Sequence, residues 1–398
     1  MNRALVLTAH YPPIRGSQAT RAAKLLKHLG MFGWECDIVC AESDPAFGFD
    51  ESQLQDVPDR ATIVRTNPNA YRLNRIPRKF SVPDHLASWI PGAVVTALNL
   101  ERKRHYDALA SLSFPVSSHV AALAVHTLTG LPWLADFSDP WMNNPYSGPD
   151  GRSFRSFSGK VLERKVLERA ACLGFTCPEL EDFVSKSYPT IREKSVELRN
   201  ACERTDFEDL PAQPPGHKFT LVHVGSLYGL RQPTSLLRGF ARFLHANPEA
   251  RVALRLIGTW KPPGQLNEGD PVLRDRVDVV PPMNRRAALK EMRSADLLVL
   301  IDPSVTEPSI FLPLKLSEYL MSGRPILALT GEGPSERLIR EHRAGAVVRF
   351  DDEGGVAEQI ERFYEARSGL IPDLREVDDL ESTTVGRNFA AALDRIAL

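Results

Sequence analysis

PSIFLPLKLSEYLMSGRPILAL, running from Pro308 to Leu329, joins three local signals with different periods. Pro313 suits the opening turn of a helix, where its missing N–H would have no intrahelical partner anyway. Leu316 and Leu320 then fall on one face, while Lys315 and Glu318, three apart, share another. Gly323 follows the last periodic residue, where helices often close in a left-handed conformation. Arg324-Pro325 leads into Ile326–Leu329, a short continuous apolar run of buried-strand type. The stretch therefore places a Lys/Glu pair on a short helix between an irregular, proline-flanked loop and a core strand. Ligands of open α/β sheets bind in such places. Taken alone, the pair is more simply a surface ion pair on an amphipathic helix. The rest of the chain has to decide between the two.

The 398-residue length implies two domains, or three. A composition 43% hydrophobic and 25% charged is that of a globular protein. A net charge of −1 gives no broad cationic field, so nucleic acid is not expected as a partner. Cys36, Cys40, Cys172, Cys177 and Cys202 form no CxxC pair; they read as thiols in a reducing cytoplasm, not as disulfides or a zinc site. The apolar run in MNRALVLTAHYPP is too short for a secretory signal, and no run reaches the length of a bilayer span. A cytoplasmic protein is expected, at most peripheral to the inner face of the membrane.

From the N-terminus, Ala4–Thr8 reads as a buried strand and HYPPIRGSQATR as the loop after it. Ala19, Ala22, Ala23, Leu26 and Leu29 repeat at helical spacing, with Arg21, Lys24 and Lys27 on the polar side. Gly33 ends that helix and Cys36–Cys40 is the next strand, which makes a βαβ opening. Gly16 and Ser17 precede the helix, so their N–H groups either favour an anion or simply form an ordinary βα turn. The chain contains neither GxGxxG nor GxxxxGK[ST], which argues against a dinucleotide oxidoreductase and a P-loop NTPase. Residues 67–92 mix Arg72, Arg75, Arg78 and Lys79 with Tyr71, Phe80, Trp89 and four prolines. Residues 71–90 are thus either a peripheral membrane or acceptor contact or a long solvated loop.

Further on, Ala93–Leu100 reads as a helix, Tyr106–Leu112 as a strand, and a helix begins near Ser117. His119 lies in its first turn, where the dipole disfavours a charged imidazole. Trp133–Phe137 is a strand with Asp136 near its carboxyl end, a ligand-facing carboxylate by position. Asp139-Pro140 reads as an N-cap and first helical residue. Residues 143–158 read as a polar loop, followed by a helix from Val161 to Ala171.

Residues 206–218, DFEDLPAQPPGHK, lack periodicity and form the best domain boundary. They divide a first domain, 1–205, from a second, 219–375, with a terminal helix over 384–398 expected to pack back on the first. After the linker, Phe219–Val224, Val252–Ile257, Val277–Val280 and Leu297–Leu300 read as strands alternating with helices at Ser235–Leu244 and Arg285–Arg293. The fold class is α/β: two Rossmann-like, doubly wound domains facing a cleft. Within VGSLYGLRQPTSLL, Gly225 and Gly229 permit close backbone approach to a ligand. Arg231 stands just before a helix, where a cation is mildly unfavourable unless it serves a ligand.

Taken in order, HYPPIRGSQATR, PDHLASWIPGA, SFPVSSHVAAL, TGLPWLADFSDPW, RNACERTDF, HVGSLYGLR and PLKLSEYLMSGRPILA resemble the loops of family 4 glycosyltransferases with the GT-B fold. The likeness covers nearly the whole chain. It implies an acceptor-binding first domain, a second domain for a nucleoside-diphosphate-sugar co-substrate, no cofactor or metal, and retention of anomeric configuration. By the same resemblance, Gly16 would contact the donor diphosphate through its backbone N–H, beside Ser17 at the helix start. His119 would bond the transferred sugar, and Arg231 would neutralise the leaving diphosphate with Gly225 and Ser226 beside it. Glu318 matches the second acid of the family's EX7E motif and would bind the ribose. Ile310 stands where the first acid is expected and Ser226 where an arginine is usual. Lys315 would supply the missing cation, and the backbone of Phe311 and Leu312 the missing sugar contact. The acceptor is expected to be a glycan, a lipid-linked molecule or an exopolysaccharide precursor. A sugar-nucleotide epimerase or hydrolase on the same fold, or a non-catalytic nucleotide-sugar-binding subunit, are the alternatives.

Overall fold

The computed structural model describes residues 1–397 apart from 43, 45–47, 69–81, 146–153, 211–217, 261–269, 303–307 and 368–372. Most of the basic, aromatic stretch at 71–90 lies outside the described residues, as does most of the 206–218 segment. The chain divides into two compact units: Met1–Ala201 with Asp379–Leu398, and Cys202–Asp378. The break thus falls four residues ahead of position 205.

The first unit runs β1 (Asn2–Leu7), α1 (Ser17–Leu26), β2 (Trp34–Ala41), β3 (Thr62–Thr66), α2 (Ile90–Arg104), β4 (Ala108–Leu112) and α3 (Ser117–Thr129). It continues with β5 (Trp133–Phe137), α4 (Phe154–Arg169), β6 (Cys172–Phe175), α5 (Pro178–Ser185) and β7 (Ser195–Glu197). Its seven strands are all parallel, in the order β3-β2-β1-β4-β5-β6-β7. The second unit holds α6 (Thr205–Glu208), β8 (Phe219–Val224), α7 (Thr234–Ala246), β9 (Val252–Ile257), β10 (Val277–Val280) and α8 (Arg285–Ser294). It then adds β11 (Leu297–Asp302), α9 (Leu314–Met321), β12 (Ile326–Thr330), α10 (Pro334–Glu341), β13 (Gly345–Val348) and α11 (Glu353–Glu365). Its six parallel strands are ordered β10-β9-β8-β11-β12-β13. The final helix, α12 (Ser382–Ile396), belongs to the first unit.

Both sheets are the doubly wound α/β type expected from the sequence. Strand order reverses between β1 and β4 in one sheet and between β8 and β11 in the other. The connections leave in opposite directions at these points and open a crevice beyond the strand ends. In the first unit, Val385, Phe389, Ala392 and Leu393 of α12 join the core that contains Ala22, Ala23, Leu25 and Leu26 of α1. Trp34 fixes that contact by donating its indole N–H to Asp394, 2.8 Å away. In the second unit, Leu236, Phe240 and Phe243 of α7 pack with Val356 and Ile360 of α11 over the β8, β9 and β11 side chains.

Three local expectations are corrected. Arg21 and Lys24, assigned to the polar side of α1, are 3% and 0% exposed. Lys24 and Lys27 both reach Asp56, at 2.8 and 2.9 Å, so much of the cationic face of α1 is buried against carboxylates. Helix α4 starts at Phe154, inside the stretch read as loop; its Ser/Gly content lowers helix propensity without forbidding an opening turn. No helix starts at Pro140, since residues 140–144 are not helical; Asp139 accepts from Gln18 Nε2 at 3.3 Å and Ser138 Oγ at 3.2 Å.

Candidate functional site

Helix α9 follows the stretch Pro308–Pro313, in which Ile310, Phe311 and Leu312 are buried. Pro313 sits as the N-cap in extended conformation, one position ahead of the helix proper. The helix closes at Gly323, whose φ of +77° is the expected left-handed turn. Tyr319 pins α9 to the sheet: its hydroxyl accepts from the Val224 N–H at 2.8 Å, at the end of β8. One turn earlier on the same helix, Lys315 reaches over Gly225.

Gly225 has φ +136°, and a Cβ there would lie 2.4 Å from Lys315 Nζ. The next loop crosses equally closely: a Cβ on Gly258 would come within 2.4 Å of the Gly225 carbonyl oxygen. Both glycines are demanded by backbone conformation and by contact together. Gly225→Ala should therefore displace Lys315, cut donor-dependent activity by tenfold or more on the order of a misplaced catalytic group, and lower the melting temperature. Unchanged donor affinity in that variant would show that the close approach has no role.

Arg231 enters from the same loop. Its Nη2 donates to Asp302 Oδ1 at 3.3 Å, and its guanidinium lies 6.0 Å from the Tyr228 ring. Asp302 ends β11 and is fully buried; it also accepts from Ser335 Oγ of α10 at 3.1 Å. Burial pushes its carboxyl up, against the charge of Arg231. The half-buried Lys315 ammonium is pulled down to about 7 by burial and then by Arg231, against Asp302 and Glu318. His223, next to last in β8, donates Nδ1–H to the Val299 carbonyl at 2.9 Å. Burial, then the charge of Lys315, holds that ring neutral.

Glu318 accepts from Arg285 Nε at 3.1 Å, and Arg285 Nη2 lies 2.8 Å from Asp206. The α9 carboxylate is thus oriented by α8. Ser226 is exposed beside Gly225. The structure brings together Gly225, Ser226, Arg231 and Lys315 at the β8/β11 switch point, with Glu318 one turn along α9. Sequence reading missed Asp302, Arg285 and His223; an aspartate closing an apolar strand at the switch point was the available signal for the first.

In the first unit, Gly16 (φ +149°) is the N-cap of α1 and Ser17 its first residue. Gln18 ties them to the β4–α3 turn by accepting from the Phe114 N–H at 3.3 Å. His119 is fully buried at the start of α3, 4.4 Å from the Phe137 ring centroid. Ser111 Oγ lies 2.8 Å from Trp133 Nε1 and 2.7 Å from His119 Nδ1. Indole only donates, so Ser111 Oγ accepts from Trp133; His119 Nδ1 is committed to the same hydroxyl, and its Nε2 has no partner among the described residues. Burial pulls His119 down to about 3, so the ring is neutral.

Asp136 does not face a ligand. Arg21 grips it with Nε at 3.2 Å and Nη2 at 2.7 Å. A fully buried strand-end carboxylate requires such a cation, and α1 supplies it.

One group within a single unit has cation-ligand types among the described residues: His10, Asp44 and His85. Both imidazole Nε2 atoms lie 2.7–2.8 Å from Asp44 Oδ2. That is hydrogen-bond spacing, tighter than the roughly 3.3 Å between ligands around tetrahedral zinc.

Residues 218–366 match the family described as "Glycosyl transferases group 1", and residues 16–201 match "Glycosyl transferase 4-like domain". The chain belongs to the family 4 glycosyltransferases. No curated protein sequence matches it. Among solved structures it resembles the lipopolysaccharide outer core galactosyltransferase WaaB at 12% identity, covering 98% of this chain and 99% of that one, with TM-score 0.60. It also resembles WaaG, a glycosyltransferase of lipopolysaccharide biosynthesis, at 14% identity, 98% and 95% coverage and TM-score 0.57. A putative UDP-N-acetylglucosamine 2-epimerase from Listeria monocytogenes matches at 10% identity, 98% and 94% coverage and TM-score 0.55. At such identities these likenesses establish the fold, the two Rossmann-like domains of GT-B glycosyltransferases. No helix among the described residues of this glycosyltransferase is long and apolar enough to cross a membrane.

Proposed function

We propose that this glycosyltransferase moves a hexose-type sugar from a nucleoside diphosphate to a glycan, lipid-linked or exopolysaccharide-precursor acceptor, with retention and without a metal. The observation that carries the reading is the convergence of Lys315 Nζ and the Arg231 guanidinium at the Gly225 loop, on the switch point of the second sheet. A departing diphosphate gains negative charge, and fixed cations stabilise that state more than the bound donor. Glu318, held by Arg285, is suited to accept hydrogen bonds from ribose hydroxyls. In the first unit, His119 Nε2, without a partner among the described residues, is suited to bond a sugar hydroxyl, and the Gly16 and Ser17 N–H groups suit a phosphate oxygen.

The test is a thermal-shift panel of UDP, GDP, ADP, CDP and dTDP with their common sugars. Ligands that bind only the folded protein raise its melting temperature in proportion to the logarithm of concentration over affinity. One base should stand out, and no response to any nucleotide would overturn the diphosphate assignment. Ile310, apolar and buried where an acid is expected, keeps two other readings in play. An epimerase or hydrolase on this fold would convert the donor with no acceptor present. A non-catalytic subunit would bind nucleotide sugar without turnover across acceptors.

A further inference from the structure

Lys315 stands in an unusual electrostatic position. Among the described residues its ammonium makes no hydrogen bond and no ion pair. Among the described residues, the carboxylates that face it are already engaged. Asp302, from β11, is held by Arg231 and Ser335. Glu318, on α9 itself, is held by Arg285 of α8. Arg231, from the loop before α7, repels it. From β8 comes His223, whose Nδ1 is committed to the Val299 carbonyl and whose Nε2 has no partner. A Cβ built on Gly225 would lie 2.4 Å from Lys315 Nζ and 3.8 Å from that Nε2, so both nitrogens border the same backbone point.

A half-enclosed ammonium beside a guanidinium, with no acceptor of its own, is expensive, whereas the neutral amine is not. A bound diphosphate reverses the balance by placing several negative charges at the Gly225 loop. We propose that, above neutral pH, Lys315 is an uncharged amine in the empty donor site and takes up a proton when a nucleoside diphosphate binds, making donor-site occupancy proton-coupled. The proposal rests on the diphosphate reading of the site given above. The proton comes from solvent, the amine nitrogen becomes an ammonium paired with phosphate oxygens, and no other bond changes. Burial and the Arg231 charge, which pull Lys315 to about 7, act in the same direction.

The sign follows from linkage. Above pH 7 the empty site lacks the proton and the occupied site holds it, so binding weakens as pH rises, by up to about tenfold per pH unit. Below pH 7 Lys315 is charged in both states and contributes no slope.

The experiment is calorimetry of UDP, GDP, ADP, CDP and dTDP at pH 8 in Tris and in HEPES, whose ionisation enthalpies differ. At pH 8 a terminal phosphate with a second pKa of about 6 is already ionised and does not take part. The wild-type protein should take up about one proton per nucleotide bound. Lys315→Arg, permanently charged, should bind without uptake and with a Kd that is flat between pH 7.5 and 9. Binding with no buffer dependence in the wild type overturns the proposal and leaves the diphosphate site standing. Uptake that persists in Lys315→Arg places the proton elsewhere and also overturns it. If none of the nucleotides binds, the diphosphate reading fails and this proposal fails with it.

Discussion

Replacing Arg231 with methionine should lower glycosyl transfer by roughly 10²- to 10³-fold, the loss seen when one preorganised group facing developing transition-state charge is removed. The variant should still fold. Asp302 loses its cation, but burial already pushes that carboxyl toward its neutral form, and Ser335 remains beside it. A buried acid that can protonate does not have to be left as a bare charge. The melting temperature should therefore change little at neutral pH while turnover collapses. Arg231→Lys should recover only part of the rate, because an ammonium is a point charge and cannot present the planar fork of a guanidinium. Lys315 is left in place in both variants, so residual activity measures what the second cation supplies alone. Turnover of Arg231→Met at the wild-type rate, with the donor that gives the largest thermal shift, would remove Arg231 from the mechanism.

The contrast between Arg231 and its partner shows what can be read from a linear chain. Arg231 was visible because a cation before a helix contradicts local preference. Asp302, 71 residues away, gives no such local contradiction. The strands Phe219–Val224, Val252–Ile257 and Val277–Val280 were legible to the residue because each is a short run dominated by apolar and β-branched residues. Strands β3 and β13 were not read. TIVRT mixes polar and apolar residues, all half-buried, and GAVV is only four residues long and opens on a glycine, so neither shows a sustained apolar signature. Helix periodicity was equally blind to the cationic side of α1. Arg21 and Lys24 look like solvated positions until Asp136 and Asp56, 115 and 32 residues on, arrive in space. Asp136 was misread for the same reason. A carboxylate at a strand end is a ligand-facing group or a structural one according to whether another element brings it a cation.

That correction predicts the largest stability effect in the first unit. Arg21 uses all five of its N–H donors: two on Asp136, one on the Leu198 carbonyl at 2.8 Å, and one each on the Arg199 carbonyl and Asn200 Oδ1 at 3.0 Å. One side chain thereby joins α1 to β5 and to the chain leaving β7. Asp136→Ala should destabilise the unit by about 3–5 kcal/mol, because it strands a buried guanidinium without counter-charge. The isosteric Asp136→Asn keeps the shape and one acceptor, so its cost separates the charge from the cavity; most of the loss should persist. Arg21→Met should be milder, since the carboxyl left behind can protonate as Asp302 can. Unfolding of a chain with two compact units is not two-state, so a single midpoint would mislead. Tryptophan fluorescence avoids this. Trp34, Trp89, Trp133 and Trp141 lie in the first unit and only Trp260 in the second, so the signal reports mainly on the part that carries Arg21. A urea transition of that signal unmoved in Asp136→Ala would mean the pair is decorative, and the strand-end carboxylate would again be open to a role in binding.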